Sequence, residues 1–408
     1  MRNILREKGN KMKTLVTVTE AYQLFQQEIT RRREIGTCPV EYGLGHRLAE
    51  AIYAPLPQPP FSKSAMDGFV FRMEDIGKRE SFIMQGALYA GDNPIEPIKE
   101  NHCFKIMTGA KVPDNGHVVV RQEDCVIEGN TVKVLVWPTK GNNICIKGED
   151  FKEGELLIPE GTALDYIHIA LLSSIGRTEI MIYKKPRIAV LISGSEVCQP
   201  GKPLIEGKIY DSNAMMIKQR LLTLGYGAKT IEFLQDDKAE VSKVLEQISQ
   251  NHDMIVTTGG VSVGEKDIFH DALEMAHAKK VFWKVALKPG TPAIFSMLNG
   301  CPIISLSGNP FAVGVTFEML ARKVLYEITN DDRLLMTCLQ APIKNAFQKT
   351  SDKSRFVRAK WNGTCVEVPE GLHASYALKS MMGCNALVEL PARKEPIKAG
   401  EEVTIWLL

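Results

Sequence analysis

Thr257-Thr258-Gly259-Gly260-Val261-Ser262-Val263-Gly264-Glu265-Lys266-Asp267 joins an apolar, strand-like segment, Met254-Ile255-Val256, to an amphipathic segment that begins near Ile268. Glycines between a strand and a helix allow a tight backbone turn and leave N–H groups free to face an anion. Lys266 adds positive charge, and Asp267 supplies a carboxylate of the kind that holds a phosphate-bound divalent cation. The stretch therefore predicts a metal–phosphate loop at the end of a strand.

Outward from this loop, strand and helix patterns alternate. Arg187–Ile192, Lys229–Leu234 and Asp253–Thr258 have strand character. So do Val281–Leu287, Ala293–Ser296 and Pro302–Leu306. Helical patterns cover Asp211–Leu224, Lys238–Gln250, Ile268–Ala278 and Pro310–Tyr326, the last with proline where a helix tolerates it best. Such a succession predicts a doubly wound α/β domain over residues 186–330, with its ligand crevice outside the carboxyl ends of the strands. Chemically suggestive residues follow those ends: Ser193-Gly194-Ser195-Glu196, then Asp236 and Asp237, then the Gly259–Asp267 loop. Lys288-Pro289-Gly290-Thr291-Pro292 and Ser307-Gly308-Asn309-Pro310 complete the series. Lys284 and Lys288 are an even number of residues apart, so strand alternation puts both on one face.

Around this domain, residues 12–54 and 146–185 form an expected α+β linker region. It is interrupted by a small inserted β domain at 55–145, which starts in the proline cluster Pro55–Pro60. Helical spacing at Ala21, Leu24, Phe25 and Ile29 marks the first region. Short β-like runs (Ser81–Met84, His117–Arg121, Val132–Val136) mark the insert. Residues 331–408 return to β patterning and predict a small barrel or sandwich, and 1–11 are expected to be a disordered leader, with Met12 an alternative start.

A length of 408 residues requires several domains. The net charge of +2 supplies no basic field for nucleic acid. No apolar run approaches the roughly 20 residues that span a bilayer, and no secretory leader is visible. Nine cysteines without a C-x-x-C pair argue against structural zinc and a disulfide framework, and for a cytoplasmic location. The eight histidines show no ligand spacing either, so any metal is expected to be a hard cation on carboxylates.

Several motifs in one order make a family resemblance specific: Phe61-Ser62-Lys63-Ser64-Ala65-Met66-Asp67-Gly68, Ile106-Met107-Thr108-Gly109-Ala110, Gly141-Asn142-Asn143-Ile144 with Gly148-Glu149-Asp150, the 259–267 loop, and Leu306-Ser307-Gly308-Asn309-Pro310. From Met12 onward the sequence resembles the molybdopterin molybdenumtransferases, relatives of the E domain of gephyrin. The resemblance implies a molybdopterin-binding α/β domain. It implies conversion of adenylated molybdopterin and molybdate to molybdenum cofactor and AMP with Mg²⁺. It also implies a homodimer with its site at the subunit interface, supplied by a molybdopterin-adenylylating enzyme and serving apo-molybdoenzymes.

Carried over by motif, Asp67, Thr108, Glu196, Asp267, Lys284 and Lys288 are the implied catalytic positions, with Glu196 and Asp267 on the metal. Asp67 would face the crevice of the partner subunit. Implied substrate-binding positions are Asp150, Ser193, Gly194, Asp236, Asp237, Gly259, Gly260, Ser262, Gly264, Ser307, Gly308, Asn309, Pro310 and Ser375, with Ser380 nearby. Asp236 and Asp237 are assigned to the pterin. Arg355 and Arg358 are expected to be surface charges. The chain departs from the family pattern at Ser195, where an acid is usual, at Thr291, where a basic residue is common, and at Ser307, where proline is usual. Two alternatives stand beside insertion chemistry: a cofactor-binding carrier or scaffold, and a molybdopterin adenylyltransferase.

Overall fold

The apolar run Ile188–Ser193 is buried along its whole length and lies one strand from the edge of a seven-stranded sheet. The strand order is Lys13–Val16, Lys279–Val285, Ile294–Leu298, Cys301–Leu306, Met254–Thr258, Ile188–Ser193, Ala228–Leu234. The last four are mutually parallel, while Ile294–Leu298 is antiparallel to both neighbours. Two reversals restore the direction of Lys279–Val285, so its carboxyl end shares an edge with those of the parallel strands. Alternation along the strands sends Val190, Ile192, Val256 and Ile304 into one core, and Ala189, Leu191, Ile255 and Ile303 into another on the opposite face. Helices cover both faces, as the doubly wound reading requires. The structure is a computed structural model that describes residues 12–31, 34–94, 96–261, 268–371, 373–392 and 395–408.

The closing helix is less regular than expected. Pro310–Thr316 is α-helical, Phe317–Ala321 widens into a π turn, and Arg322–Thr329 resumes the α form. Glu318 is buried within the π turn and is held by Arg220 Nε at 2.6 Å and Arg322 Nη1 at 3.0 Å. An internal carboxylate needs such partners.

The segment 12–34 departs from its expected grouping with 35–54. Lys13–Val16 pairs in parallel with Lys279–Val285, and the helix Val18–Glu28 buries Ala21, Leu24 and Phe25 in the α/β core. Phe25 stands edge-on to Phe295 with centroids 4.7 Å apart. Thr17 and Glu20 close a capping box at the helix start. The two compact units are accordingly residues 35–183, and the chain before and after them.

Within residues 35–183, a six-stranded sheet runs in the order Cys125–Glu128, Thr131–Val134, Ser81–Leu88, His102–Ile106, Gly68–Arg72, Gly116–Arg121. Lys63–Ser64 pairs with Ile144–Cys145, and Ile52–Tyr53 with Leu156–Ile158, which brings the two ends of the β insert together. A smaller sheet (Ile35–Pro39, Glu179–Tyr183, Arg47–Leu48) packs with the helix Tyr166–Ser174. In the C-terminal part, Ser354–Trp361, Ala386–Leu390, Glu402–Leu407 and Cys338–Pro342 form an antiparallel sheet, joined at its edge by Leu287–Lys288 from the α/β domain.

Candidate active site

Beyond the shared carboxyl edge of the main sheet lies a crevice of about 940 Å³. Glu196, Gly259, Gly260, Lys288, Ser307, Gly308, Asn309, Pro310 and Ser375, all chosen from sequence, line it. Ser193 lies in an annex of about 60 Å³ that shares Glu196, Tyr210, Gly259 and Gly308 with the crevice.

The glycine loop is held by close packing. Gly259 has φ +84°, and a Cβ there would sit 2.2 Å from the carbonyl oxygen of Ser193. A Cβ on Gly308 would in turn lie 3.5 Å from Gly259 Cα. Asn213 Nδ2 donates to Gly308 O at 2.8 Å and fixes the Ser307-Gly308-Asn309 turn. Three strand-end loops thus meet backbone to backbone, and at Gly259 a side chain would prevent it. Thr291, where the resemblance leads one to expect a basic residue, instead donates its hydroxyl to Leu287 O at 2.6 Å and braces its own turn.

The other wall comes from the C-terminal part and was not foreseen. Arg355, Arg358, His373 and Phe347 line the crevice, and the expectation that Arg355 and Arg358 are surface charges is corrected. Arg358 is 1% exposed and lies over the Phe311 ring, 3.8 Å from its centroid. Its Nη1 donates to Ala377 O at 2.6 Å and to Ser380 Oγ, and its Nη2 to Ala374 O at 2.9 Å. Burial lowers the pKa of both guanidinium groups and of the His373 imidazole, where the charge of Arg358 acts in the same direction. A guanidinium remains ionised regardless, so this wall is cationic. The run Phe356-Val357-Arg358-Ala359 carried the clue: an arginine inside a buried strand must have partners.

Other sequence-derived candidates lie elsewhere. The main strand ends at Val285, and Lys284 sits at φ +69° with its Nζ 3.9 Å from the centroid of the Trp283 indole. The alternation argument therefore fails, because no continuous strand carries Lys284 and Lys288, and only Lys288 lines the crevice. Asp236 accepts the Ser195 N–H at 2.8 Å, and Asp237 caps the helix Lys238–Asn251 by accepting from Ala239 and Glu240 N–H. Neither aspartate lines the crevice, and nor does Gly194. Ser380 touches the site only through Arg358. Ser262, Gly264 and Asp267 lie outside the described residues.

In the other unit, Thr108 N–H and Oγ1–H both donate to Asp67 Oδ1 at 2.7 Å. The backbone hydrogen bond and then the hydroxyl hold the Asp67 carboxyl below its ordinary pKa. Asp150 is exposed in the same unit, its N–H bonded to Gln58 O at 2.9 Å.

A multi-domain protein with a ligand-binding α/β domain, a cationic second wall and a separate acidic β-rich unit is the class that fold and site define. Three family models match in series: "MoeA N-terminal region (domain I and II)" over residues 16–176, "Probable molybdopterin binding domain" over 189–327, and "MoeA C-terminal region (domain IV)" over 340–408. The molybdopterin molybdenumtransferase of Staphylococcus aureus (strain COL) is 30% identical over 400 residues, which cover 96% of this chain and 95% of that protein. The enzyme of the same name from Haemophilus influenzae is 30% identical over 363 residues, covering 88% and 90%. Among solved structures, the molybdopterin biosynthesis MoeA protein of Pyrococcus horikosii superposes with a TM-score of 0.84 at 27% identity, covering 96% of this chain and 99% of that one. The chain belongs to the molybdopterin molybdenumtransferase (MoeA) family, and it is a transferase of molybdenum cofactor biosynthesis.

Proposed function

We propose that the crevice transfers molybdenum from molybdate to adenylated molybdopterin, releasing AMP. The observation that carries this reading is the meeting of side-chain-free loops at Gly259, Gly260 and Gly308 with Lys288, Arg355 and Arg358 across one cavity. Molybdate is a tetrahedral dianion, and binding it outside bulk water requires fixed cations and hydrogen-bond donors. Lys288 and the arginine wall supply positive charge. The glycines leave backbone accessible to the pterin phosphate, and Ser307 and Ser375 add hydroxyls.

A magnesium ion suits this donor set. Glu196 is the one carboxylate on the crevice lining among the described residues, and its side chain makes no hydrogen bond or ion pair to them. Mg²⁺ is ordinarily held by one or two carboxylates together with substrate phosphate oxygens and water. Glu196 would hold it together with Asp267, which lies outside the described residues. When bound, the ion would neutralise phosphate charge. Lys288 and the arginines orient the oxyanion, and the Phe311–Arg358 stack keeps that wall rigid.

Asp67 and Thr108 complete the site from a second subunit of a cytoplasmic homodimer in this reading. The fixed Asp67 carboxylate supports it, because Thr108 locks the carboxylate in one orientation and keeps it ionised. The test is reconstitution of an apo-molybdoenzyme with adenylated molybdopterin, molybdate and Mg²⁺. Activity should appear with wild-type protein and fall at least about tenfold with Glu196→Gln. No activity with wild type, despite tight pterin binding, would instead make the protein a carrier. Mixing Asp67→Asn with Lys288→Met subunits should recover about a quarter of the activity if each site draws on both chains; no recovery would contradict the shared site.

A further inference from the structure

A second, smaller cavity of about 230 Å³ shares a single lining residue, Phe311, with the crevice. Met216, Phe317, Met381, Cys384 and Leu387 make most of its remaining wall apolar. The charged side chains that line it, Arg220 and Glu318, are paired with each other at 2.6 Å, so the lining asks for no ionic partner. An apolar cavity of roughly 150 Å³ holds one benzene ring, so this one has room for two fused rings. Thioethers and thiols are soft and adapt well to aromatic faces and edges. The same groups bound Arg358. The Phe311 ring lies 3.8 Å from its guanidinium carbon. Ser380 accepts from Arg358 Nη1 through Oγ, and its carbonyl accepts the Cys384 thiol at 3.6 Å. Met381 closes the short 3-10 turn Lys379–Met381 that carries Ser380.

We propose that this cavity is an effector site for a small, neutral, two-ring aromatic molecule, and that its occupancy orders the crevice wall through Phe311 and residues 374–384. A ring seated there gives Phe311, Met381 and Cys384 packing partners that an empty cavity withholds. Each of these residues touches Arg358 or is linked to it through Ser380. Ordering them therefore steadies the guanidinium that faces the crevice. This goes beyond the transfer reading above and does not depend on it.

The test is calorimetric titration of the full-length protein with indole and with indole-3-carboxylate, joined to amide hydrogen exchange read by mass spectrometry. Indole should bind wild type with a Kd of about 0.1–1 mM, and the charged analogue at least about tenfold more weakly. Bound indole should slow exchange across residues 374–384 by about threefold or more. Gly314→Leu and Cys384→Phe fill the cavity from the closing helix and from the C-terminal part. A Cβ on Gly314 already comes within 3.0 Å of Met381 Cε. Each variant should weaken indole binding at least about tenfold while still unfolding cooperatively in urea. Should either fail to fold, the two ligands and the exchange pattern on wild type decide the matter. No binding to wild type, or undiminished binding in both filled variants, would overturn the site. Tighter binding of the carboxylate than of indole would overturn the neutral ligand class, and binding without slower exchange in 374–384 would overturn the link to the wall. None of these readouts uses molybdate or AMP, so a failure of the transfer chemistry would leave the result interpretable.

Discussion

Replacing Gly259 by alanine tests whether the strand-end loops are held by contact rather than by backbone conformation alone. Gly259 and Gly225 have nearly the same backbone angle, φ +84° and +83°. A Cβ at Gly225 meets nothing within 4 Å, whereas one at Gly259 meets Ser193 O at 2.2 Å. Gly225→Ala should therefore cost only the left-handed penalty, about 1–2 kcal/mol. Gly259→Ala carries that penalty plus the displacement of a buried strand end, a further 1–3 kcal/mol or so by analogy with overpacked cores. Urea unfolding followed by tryptophan fluorescence should place Gly259→Ala about 1–3 kcal/mol below Gly225→Ala. Molybdopterin affinity should fall in the first variant and hold in the second. Equal destabilisation of the two would refute the argument, because the contact would then contribute nothing.

Arg358→Lys keeps the charge but loses the planar stack on Phe311 and most of the carbonyl contacts, so it should destabilise the protein by about 2–4 kcal/mol in the same urea assay; a loss below about 0.5 kcal/mol would show that charge alone suffices. Thr108→Val removes the hydroxyl donor to Asp67. A carboxyl with a lowered folded-state pKa contributes stability that is present above its unfolded value and is lost as pH falls through the folded one. Carbon-13 titration should show the Asp67 pKa moving back up toward the ordinary carboxyl range in Thr108→Val; an unmoved titration would leave the backbone bond as the sole cause.

Much of the α/β domain was legible because its strands are buried on both faces, leaving long apolar runs such as Ile188–Ser193 between turn residues. The crevice edge followed from topology, and so did the glycine, Lys288 and Ser307–Pro310 contributions. Non-local pairing was not legible. Lys13–Val16 is only four residues long and joins a strand some two hundred and seventy residues later, a partnership that periodicity within a window cannot register. The break after Val285 was hidden for a related reason: Leu287–Lys288 leaves one sheet to pair with another. Asp237 was assigned to substrate, although a carboxylate just before a helix is equally a cap. Arg358 was missed because a strand arginine ordinarily points to solvent. Only the apolar residues around it signalled burial.

The most direct test of the insertion chemistry is AMP release from adenylated molybdopterin with Mg²⁺, measured with and without molybdate, in wild type and Lys288→Met. Wild type should release AMP only when molybdate is present, and Lys288→Met should lose at least about 100-fold in rate while unfolding in urea like the parent. Molybdate-independent release, or a Lys288→Met rate equal to wild type, would contradict the assignment of this crevice to molybdenum transfer.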